Sequence, residues 1–428
     1  MEDLLAARSQ MAMSLAFHII FASVGIAMPL LMVIAEGLWL KTKDDTYLTL
    51  AKRWSKDTAI MFAVGAVSGT VLSFELGLLW PGFMAYAGPI IGMPFSLEGL
   101  AFFIEAIFLG IYLYGWERVP KKVHLLSGVM VLLGGMMSGI FVVTANAWMN
   151  TPTGFSIVDG QVTNIDPIAA MLNPSSFSQA LHMTLAAFIA VGFGAAGIHA
   201  YCLRRDPNNT LHRKAFAIAL SVGGVFALLQ PISGDISAKR VAEWQPIKLA
   251  AMEGQWETEK GAPLRIGGIP DEDAEVTRYA LEIPKALSFL AKFDFNAEIQ
   301  GLKEVKPEDR PPVTIVHIAF QIMVACGIVM IVAAIIGGWL AWKKKGIPTN
   351  RWYLKLITCC TPLGFIAIEA GWTVTEVGRQ PWVIYGFMRT SEAVTPMPHL
   401  VIPFIGFTVL YIFLSIIVVI LMRRQIFQ

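Results

Sequence analysis

The chain has 428 residues and a formal net charge of +2, and 55% of its residues are hydrophobic while only 15% are charged. Its mean hydropathy of +0.60 and its repeated apolar runs exclude an ordinary soluble domain and indicate an integral membrane protein. The basic residues form short clusters rather than a continuous stripe, so no nucleic acid is expected as a partner. The four cysteines lack CxxC spacing, and the sequence therefore predicts neither a disulfide framework nor a zinc site.

Nine apolar segments have the length that a transmembrane helix requires. The amino terminus is acidic and lacks the basic region and the cleavage site of a removable signal peptide, so the first segment is expected to be retained. The predicted spans are residues 11–40, 57–80, 94–116, 124–148, 177–203, 214–234, 313–342, 353–376 and 398–422.

The charges of the connecting loops predict the orientation of these spans. A basic cluster follows every odd-numbered span, whereas the loops predicted at 81–94 and 149–176 contain no lysine or arginine. Because short loops rich in lysine and arginine stay in the cytoplasm, the N-terminus is expected outside and the C-terminus in the cytoplasm. The predicted fold is an all-α polytopic membrane protein with nine transmembrane helices.

One long hydrophilic segment divides the chain. Residues 1–235 contain spans one to six, residues 236–312 form the hydrophilic segment, and residues 313–428 contain spans seven to nine. On the predicted topology the segment lies outside, and a loop of this length is usually functional or mobile. Its part at 238–260 has a helical composition, whereas 265–275 predicts turns.

Several polar side chains interrupt the predicted spans at a similar depth. At 1.5 Å per residue, His18, Glu98, His182, Met323 and Glu369 all fall in the outer half of the membrane. A carboxylate at such a position costs about 2–3 kcal/mol, so Glu369 is a candidate functional residue. Histidine, methionine and carboxylate ligands without a set of thiolates suit haem iron better than zinc or an iron–sulfur cluster.

Other polar residues have simpler interpretations. Glu98 and Glu105 are seven residues apart and share a helix face, which suits a proton relay that runs inward. His199 and His317 are interpreted as hydrogen-bonding residues in helix packing. Glu75 lines a pore or neighbours a haem propionate, or it is solvated near the interface. The histidines at span ends are interpreted as interfacial; they are His124, His212 and His399.

A set of short motifs gives the chain a family resemblance. The chain resembles subunit I of the cytochrome bd-type quinol oxidases over essentially its whole length, because the motifs occur together and in order on nine spans. The motifs are His18 in the first span, EGLAFFIE from Glu98, TANAWMNTP from Thr144, QALHMT around His182, KLAAMEGQWET from Lys248, FQIMVACG around Met323, EAGW from Glu369, and GRQPW from Gly378.

The resemblance implies the haem ligands. His182 and Met323 would be the axial ligands of a low-spin haem b that takes electrons from quinol. His18 and Glu369 would bind two high-spin haems, and which of them binds which haem stays open. The implied cofactors are two haem b and one haem d, with b as the alternative for the third.

The resemblance also implies the haem surroundings and the proton path. Arg379 and Trp382 of the GRQPW motif would bind cofactor, with Arg379 near the haem propionates. Glu98 would lie beside the oxygen-reducing haem, and Glu105 with Ser138 would line a path for protons from the cytoplasm.

The quinol site is implied in the external loop, which corresponds to the short type of the family's Q-loop. Lys248 and Glu253 would serve quinol oxidation there, although their charge pattern alone would make them surface residues. The implied partners are quinol, O2, a second large membrane subunit and a small single-span subunit.

The implied function is oxidation of quinol at the outer face and reduction of O2 to water with cytoplasmic protons. An enzyme of this kind in the bacterial inner membrane generates a proton motive force without pumping. Two alternatives remain open on the residues alone: a secondary transporter whose carboxylates carry protons or cations, and a haem-free structural or quinone-docking subunit. The identity of the quinol, cyanide sensitivity and oligomeric state stay open as well.

Overall fold

The computed structural model describes residues 2–159 and 161–427. Within these ranges nine helical segments are long and apolar enough to cross a membrane, and the predicted all-α fold with nine spans is confirmed. The helices are α1 (Asp3–Thr42), α2 (Asp45–Leu79), α3 (Pro81–Tyr114), α4 (Lys121–Asn150), α5 (Pro167–Met171), α6 (Ser176–Arg205), α7 (Thr210–Trp244), α8 (Pro246–Glu253), α9 (Ala286–Lys292), α10 (Val313–Lys344), α11 (Arg351–Cys360), α12 (Leu363–Val377), α13 (Thr390–Ala393) and α14 (Val401–Phe427).

The eighth span consists of two helices, α11 and α12. Pro362 lies at the junction, and because proline has no amide hydrogen it cannot continue the hydrogen-bond ladder of α11. The break allows the two halves to pack differently, since α11 lies against α6 whereas α12 lies mainly against α10.

The prediction of a loop at 81–94 is wrong, because these residues form the first turns of α3. Pro81 occupies the start of the helix, where its missing amide hydrogen leaves no bond unmade. Phe83 and Ile90 are buried in the core, so packing favours a continuous helix over an exposed loop. Only Trp80 separates α2 from α3, and the two helices form a tight hairpin.

Eight of the nine described spans form two groups of four, and the ninth, α14, packs on α1 and α2. In the first group α1 and α3 each pack along α2 and α4, and in the second group α6 and α10 each pack along α7 and α12. Helices α1 and α3 are therefore the diagonal helices of the first group, and α6 and α10 are those of the second; the two diagonal helices of a group face each other across its centre. Close approach of α6 and α7 depends on small residues, since a Cβ atom on Gly192 would lie 2.5 Å from backbone atoms of Gly223. Helix α6 also packs on α1 and α4 and joins the two groups.

The long segment between α7 and α10 is folded. Its predicted helical part forms the end of α7 and α8, whereas the predicted turns at 265–275 include two strands, β4 and β5. Each sheet here and elsewhere is an antiparallel pair. The strands are β1 (Ser156–Val158), β2 (Gln161–Thr163), β3 (Glu259–Lys260), β4 (Leu264–Ile266), β5 (Ile269–Asp271), β6 (Val276–Arg278), β7 (Leu281–Ile283), β8 (Glu298–Ile299), β9 (Trp382–Ile384) and β10 (Met388–Arg389).

Candidate functional site

His18 lies on α1 and faces α2. Its Nδ1 atom is 3.0 Å from the Ser68 hydroxyl oxygen, and that hydroxyl donates to the carbonyl oxygens of Val64 and Gly65 at 3.0 and 3.1 Å. The hydroxyl proton is therefore used by the helix backbone, and the oxygen accepts from Nδ1–H. This tautomer leaves the lone pair on Nε2, the arrangement that a metal-binding histidine needs.

His182 lies on α6 and is held in the same way by α7. Its Nδ1 atom is 3.0 Å from the Ser233 hydroxyl oxygen, which donates to the Gln230 carbonyl oxygen at 2.9 Å. The side-chain amide nitrogen of Gln230 also lies 3.2 Å from Nε2 and 3.3 Å from Nδ1 of His182. When Nδ1–H donates to Ser233, only Nε2 can accept from this amide, so Gln230 and a metal would compete for the same lone pair.

Met323 lies on α10 and contacts α12. A Cβ atom on Gly371 would lie 3.1 Å from the Met323 sulfur, so the thioether rests against the backbone of α12. His182 on α6 and Met323 on α10 thus belong to the diagonal helices of the second group. Phe320 and Met323 also pack at the edge of an apolar cluster that includes Ala251 of α8, so the long loop reaches this helix.

Glu369 lies on α12, two residues before Gly371. Its Oε1 atom is buried and has no hydrogen-bond partner among the described residues. A buried carboxylate oxygen without a partner is costly, and such an atom fits a ligand for a cation or for a metal-bearing cofactor.

Glu376 is a second carboxylate on α12 that the sequence analysis missed. It follows Glu369 by seven residues and therefore lies on a similar face of the helix. Asn146 of α4 donates to its Oε1 atom, and Arg379 donates to its Oε2 atom at 2.6 Å. The heptad spacing of the two carboxylates in the stretch from Glu369 to Trp382 was the signal that could have identified it.

Arg379 is buried beside this carboxylate. Only 2% of its surface is exposed, and its Nε and Nη1 atoms have no acceptor within the part of the chain that the structure describes. Two unpaired buried donors fit an anionic group such as a carboxylate of a cofactor. Trp382 begins β9, and the guanidinium of Arg389 lies over its ring, 5.0 Å from the ring centroid. The neighbour of the Trp382 ring is thus Arg389.

Lys248 and Glu253 lie on α8 and are each only 4% exposed, so the surface position indicated by their charge pattern is wrong. Helix α8 packs on α10 and α7, and the Lys248 side chain reaches residues of α4 and α12. The Lys248 ammonium donates to the side-chain oxygen of Asn150 and to the Thr375 carbonyl oxygen at 3.3 Å. Burial, aided by the charge of Arg379, lowers the pKa of Lys248 well below its ordinary value.

The pKa of Glu253 is shifted in the opposite direction from that of Lys248. Burial raises the pKa of the Glu253 carboxyl to about 8, although the Arg265 charge opposes the change. Its Oε2 atom is buried without a partner among the residues described. A carboxyl with a pKa near the working pH can accept and release a proton readily.

Glu98 and Glu105 lie on α3 and are directed towards α4. The Ser138 hydroxyl donates to Glu98 Oε1 at 3.2 Å. Glu105 is buried against three glycines, and a Cβ atom on Gly135 of α4 or on Gly25 of α1 would lie 3.2 or 3.5 Å from its Oε1 atom. The structure thus brings Glu98 and Ser138 together and places Glu105 about two turns further along the same helix.

His199, His212 and His317 make side-chain hydrogen bonds. His317 contacts the carbonyl oxygens of Met252 and Gly267 at 2.8 and 3.0 Å, and it ties the long loop to α10. His199 Nδ1 lies 2.9 Å from His212 Nδ1. Both atomic arrangements fit the packing role that was expected of His199 and His317.

His124 and Glu75 are both buried, so the interfacial position expected for His124 is wrong and the solvated alternative for Glu75 is excluded. His124, which was expected at the interface, is buried and lies 2.9 Å from Glu36 Oε1 and 2.9 Å from the Tyr112 carbonyl oxygen. Glu75 is buried and accepts from Gln10 and from a serine of α1. Glu36 could not be predicted from the sequence, because a single carboxylate near the end of a span resembles an interfacial residue.

Comparison with known proteins places this geometry in context. A family model described as cytochrome bd terminal oxidase subunit I matches residues 6–428. The chain is 40% identical over 427 residues to a putative cytochrome bd menaquinol oxidase subunit I of Bacillus subtilis, covering 98% of this chain and 95% of that protein. It is 35% identical to a cytochrome bd ubiquinol oxidase subunit 1 of the same species, covering 100% of this chain and 94% of that protein. A solved structure of the bd oxidase from Geobacillus thermodenitrificans matches with a TM-score of 0.93 and 39% identity, over 99% of this chain and 98% of that one.

Proposed function

The chain belongs to the cytochrome bd terminal oxidase subunit I family, and from this premise we propose that it oxidises quinol at the outer face of the membrane and reduces O2 with cytoplasmic protons. Family membership makes it a subunit of a terminal quinol oxidase with haem cofactors, embedded in the bacterial inner membrane by its long apolar helices. The electrons of two quinols reduce one O2 to two water molecules.

The paired arrangement of candidate ligands carries this proposal. His182 and Met323 lie on the diagonal helices of one four-helix group, and His18 and Glu98 lie on those of the other. Both histidines have Nδ1 engaged by a serine, which places the lone pair on Nε2, and at His182 the Gln230 amide would have to give up its contact with Nε2 to iron. The unpaired carboxylate oxygen of Glu369 fits the metal cation of a cofactor, and the unpaired guanidinium nitrogens of Arg379 fit an anionic group of a cofactor. Haem supplies one-electron transfer and the oxygen-reducing iron when it is bound.

His182 and Met323 would hold the low-spin haem b, and His18 with a carboxylate of α12 would hold the two high-spin haems. Glu369 is the first candidate for that carboxylate, because its Oε1 atom is unpaired among the described residues. Glu376 is the second, because it lies beside Arg379 on a similar helix face. Replacing each with alanine distinguishes them: the true ligand loses one high-spin haem in an extracted-haem assay, and the other variant keeps the full content. The cofactors proposed are two haem b and one haem d, with b as the alternative for the third.

Quinol oxidation would take place where α8 meets α10 and α12. Glu253 would accept a quinol proton, because its raised pKa of about 8 keeps the carboxyl close to titration at neutral pH. Lys248 would orient the quinol oxygens or tune their charge, since its ammonium lies in the buried network with Asn150. The residues 236–312 would thus be the external quinol-binding loop.

Protons for water formation would come from the opposite side through α3 and α4. Glu105 would receive them and Ser138 with Glu98 would pass them on, since Ser138 already donates to Glu98. Because quinol releases its protons outside and O2 takes protons from inside, the enzyme would separate charge without pumping. The N-terminus would lie outside and the C-terminus in the cytoplasm.

Subunit I of a bd oxidase pairs with a subunit II, and we propose a further single-span subunit in the complex. Helix α14 has an apolar surface that is largely exposed along its length, as expected of a helix at the edge of the subunit. Its exposed face suits lipid or a neighbouring apolar helix.

Proteoliposomes that contain the purified complex test the proposed function. Addition of a short-chain quinol should start O2 consumption and build a membrane potential that an uncoupler collapses. The Glu105→Gln variant should keep its haems but lose most of the turnover, whereas Glu117→Gln at an exposed position should behave as the wild type. O2 consumption without any potential would overturn the proposed sidedness.

A further inference from the structure

The two candidate haem-binding histidines share a local arrangement that no motif of the sequence analysis contains. Each faces a Ser-Gly dipeptide on the neighbouring helix: His18 faces Ser68-Gly69 on α2, and His182 faces Ser233-Gly234 on α7. The two helix pairs belong to different four-helix groups. The same pair of residues therefore contacts an imidazole at two separate places in the fold.

The serine of each pair fixes the tautomer of the imidazole. In both cases the Nδ1 atom lies 3.0 Å from the hydroxyl oxygen, and the hydroxyl proton is donated to a carbonyl oxygen of the serine's own helix. A carbonyl oxygen can only accept, so a hydroxyl that donates to it has a lone pair free for an N–H group. The chain of bonds runs from Nδ1–H through the serine oxygen to the backbone.

The glycine of each pair gives the ring space beside the helix. A Cβ atom on Gly69 would lie 3.0 Å from Cε1 of His18, and a Cβ atom on Gly234 would lie 3.5 Å from Cε1 of His182. Both glycines therefore face the Cε1 edge of the ring, between the two nitrogens. The two positions differ in how well they would tolerate a side chain, because 3.0 Å, the distance at Gly69, is too close for two carbon atoms, whereas 3.5 Å, the distance at Gly234, is ordinary contact.

We propose that Ser68-Gly69 and Ser233-Gly234 are positioning pairs that set the ring orientation and electron donation of the two haem-binding histidines, an inference that rests on the proposed function. A hydrogen bond from Nδ1–H to the serine makes Nε2 a stronger donor, and stronger donation favours ferric over ferrous iron. Each pair would act on the iron through its histidine.

Two further Ser-Gly dipeptides in the chain provide a comparison. The Ser127 hydroxyl donates to the His124 carbonyl oxygen, and the Ser138 hydroxyl donates to a carboxylate of α3. Neither of these hydroxyls is hydrogen-bonded to an imidazole nitrogen in the described structure. The dipeptide alone therefore does not produce the arrangement, and the two positioning pairs differ from the others in their contact with a histidine ring.

Substitutions of Ser233 by threonine and by valine separate the hydroxyl from the volume of the side chain. Threonine keeps the hydroxyl and valine has nearly the same shape without it. The complete oxidase complex of Ser233→Val should hold the low-spin haem about tenfold less tightly, within the range for loss of a partner to a metal-binding histidine. A tenfold change in the ferric-to-ferrous preference would raise its midpoint potential by 59 mV. Ser233→Thr should resemble the wild type, as should Ser221→Val at an exposed position of the same helix.

The equivalent variants of Ser68 should change a high-spin haem and leave the low-spin haem unaltered. Ser73→Val, at an exposed position on α2, is the matched control. The glycines add a graded prediction: Gly69→Ala should shift the resonance Raman band of the iron–histidine bond at His18, whereas Gly234→Ala, whose new Cβ would lie at an ordinary contact distance from His182, should shift the low-spin haem band less.

The outcomes separate this inference from the ligand assignment. If His182→Ala keeps the low-spin haem, the assignment of His182 as a ligand is wrong, and the positioning role of Ser233-Gly234 is refuted as well. If His182→Ala loses that haem but Ser233→Val and Ser233→Thr have the same potential and haem content, the ligand stands and the positioning role is refuted. A Ser233→Val complex that fails to assemble while Ser233→Thr assembles normally would support the hydroxyl's role, provided that Ser221→Val also assembles.

Discussion

Glu253→Gln should flatten the pH dependence of quinol oxidation. The carboxyl is 4% exposed and its pKa is raised by burial to about 8. If the ionised form accepts the quinol proton, the active fraction rises from about 1% at pH 6 to about 50% at pH 8. The wild-type kcat/KM for quinol should therefore increase by roughly 50-fold over this interval. Glutamine cannot ionise, so the variant should be slow and nearly independent of pH.

The same carboxyl has a predictable effect on stability. Relative to an ordinary value near 4.5, a pKa of about 8 corresponds to about 5 kcal/mol for ionising Glu253 in the folded protein. The native state binds this proton more tightly than the unfolded state, so the contribution is present below pH 4.5 and is lost as the pH rises to about 8. Glu253→Gln should remove this loss and make the thermal stability of the complex less sensitive to pH.

The assay is quinol-dependent O2 consumption by the purified complex between pH 6 and pH 9, with haem content measured on the same samples. Glu257→Gln is the matched control, because Glu257 lies in the same loop but is exposed and paired with Lys303. The reasoning would be refuted if Glu253→Gln kept full haem content and the wild-type pH profile.

Three further predictions concern packing around the site. Gly371→Ala should displace the Met323 sulfur by a few tenths of an ångström, since the new Cβ would lie 3.1 Å from it. The low-spin haem band in the visible spectrum should therefore shift, and an unchanged band would contradict this prediction. Glu36→Gln should lower the free energy of unfolding by about 1–3 kcal/mol, because it weakens the buried bond to His124; thermal unfolding of the complex against Glu117→Gln measures the loss. Gly192→Ala should lower the melting temperature of the complex, since the methyl group would meet the backbone of α7, and an equal melting temperature would show that the helices can separate without cost.

The number of spans and their order could be predicted from the sequence because each apolar segment reports its own length and hydropathy. The helix boundaries could not, as α3 shows: Pro81 and the apolar residues after it read equally well as a loop or as the start of a helix. Burial of Phe83 and Ile90 against other segments decides between them, and that information is absent from any local pattern.

Candidate residues were predictable to the extent that they belonged to a motif. Lys248 and Glu253 were identified in this way, but their burial was not, because it depends on helices that are distant in sequence, such as α4 and α12 around Lys248. Glu376 lay inside a recognised stretch and was missed, since its hydrogen-bond partner Asn146 is more than 200 residues away in sequence. Hydrogen bonds between distant segments are set by the tertiary fold.

The visible difference spectrum of the purified complex, reduced with dithionite minus oxidised, tests the central claim most directly when the wild type is compared with Met323→Leu. Leucine has a similar volume but offers no sulfur to the iron that His182 is proposed to bind. The account predicts haem bands in the wild type and the loss of only the low-spin b band in the variant. A colourless wild-type complex, or a Met323→Leu complex with the complete wild-type spectrum, would contradict it.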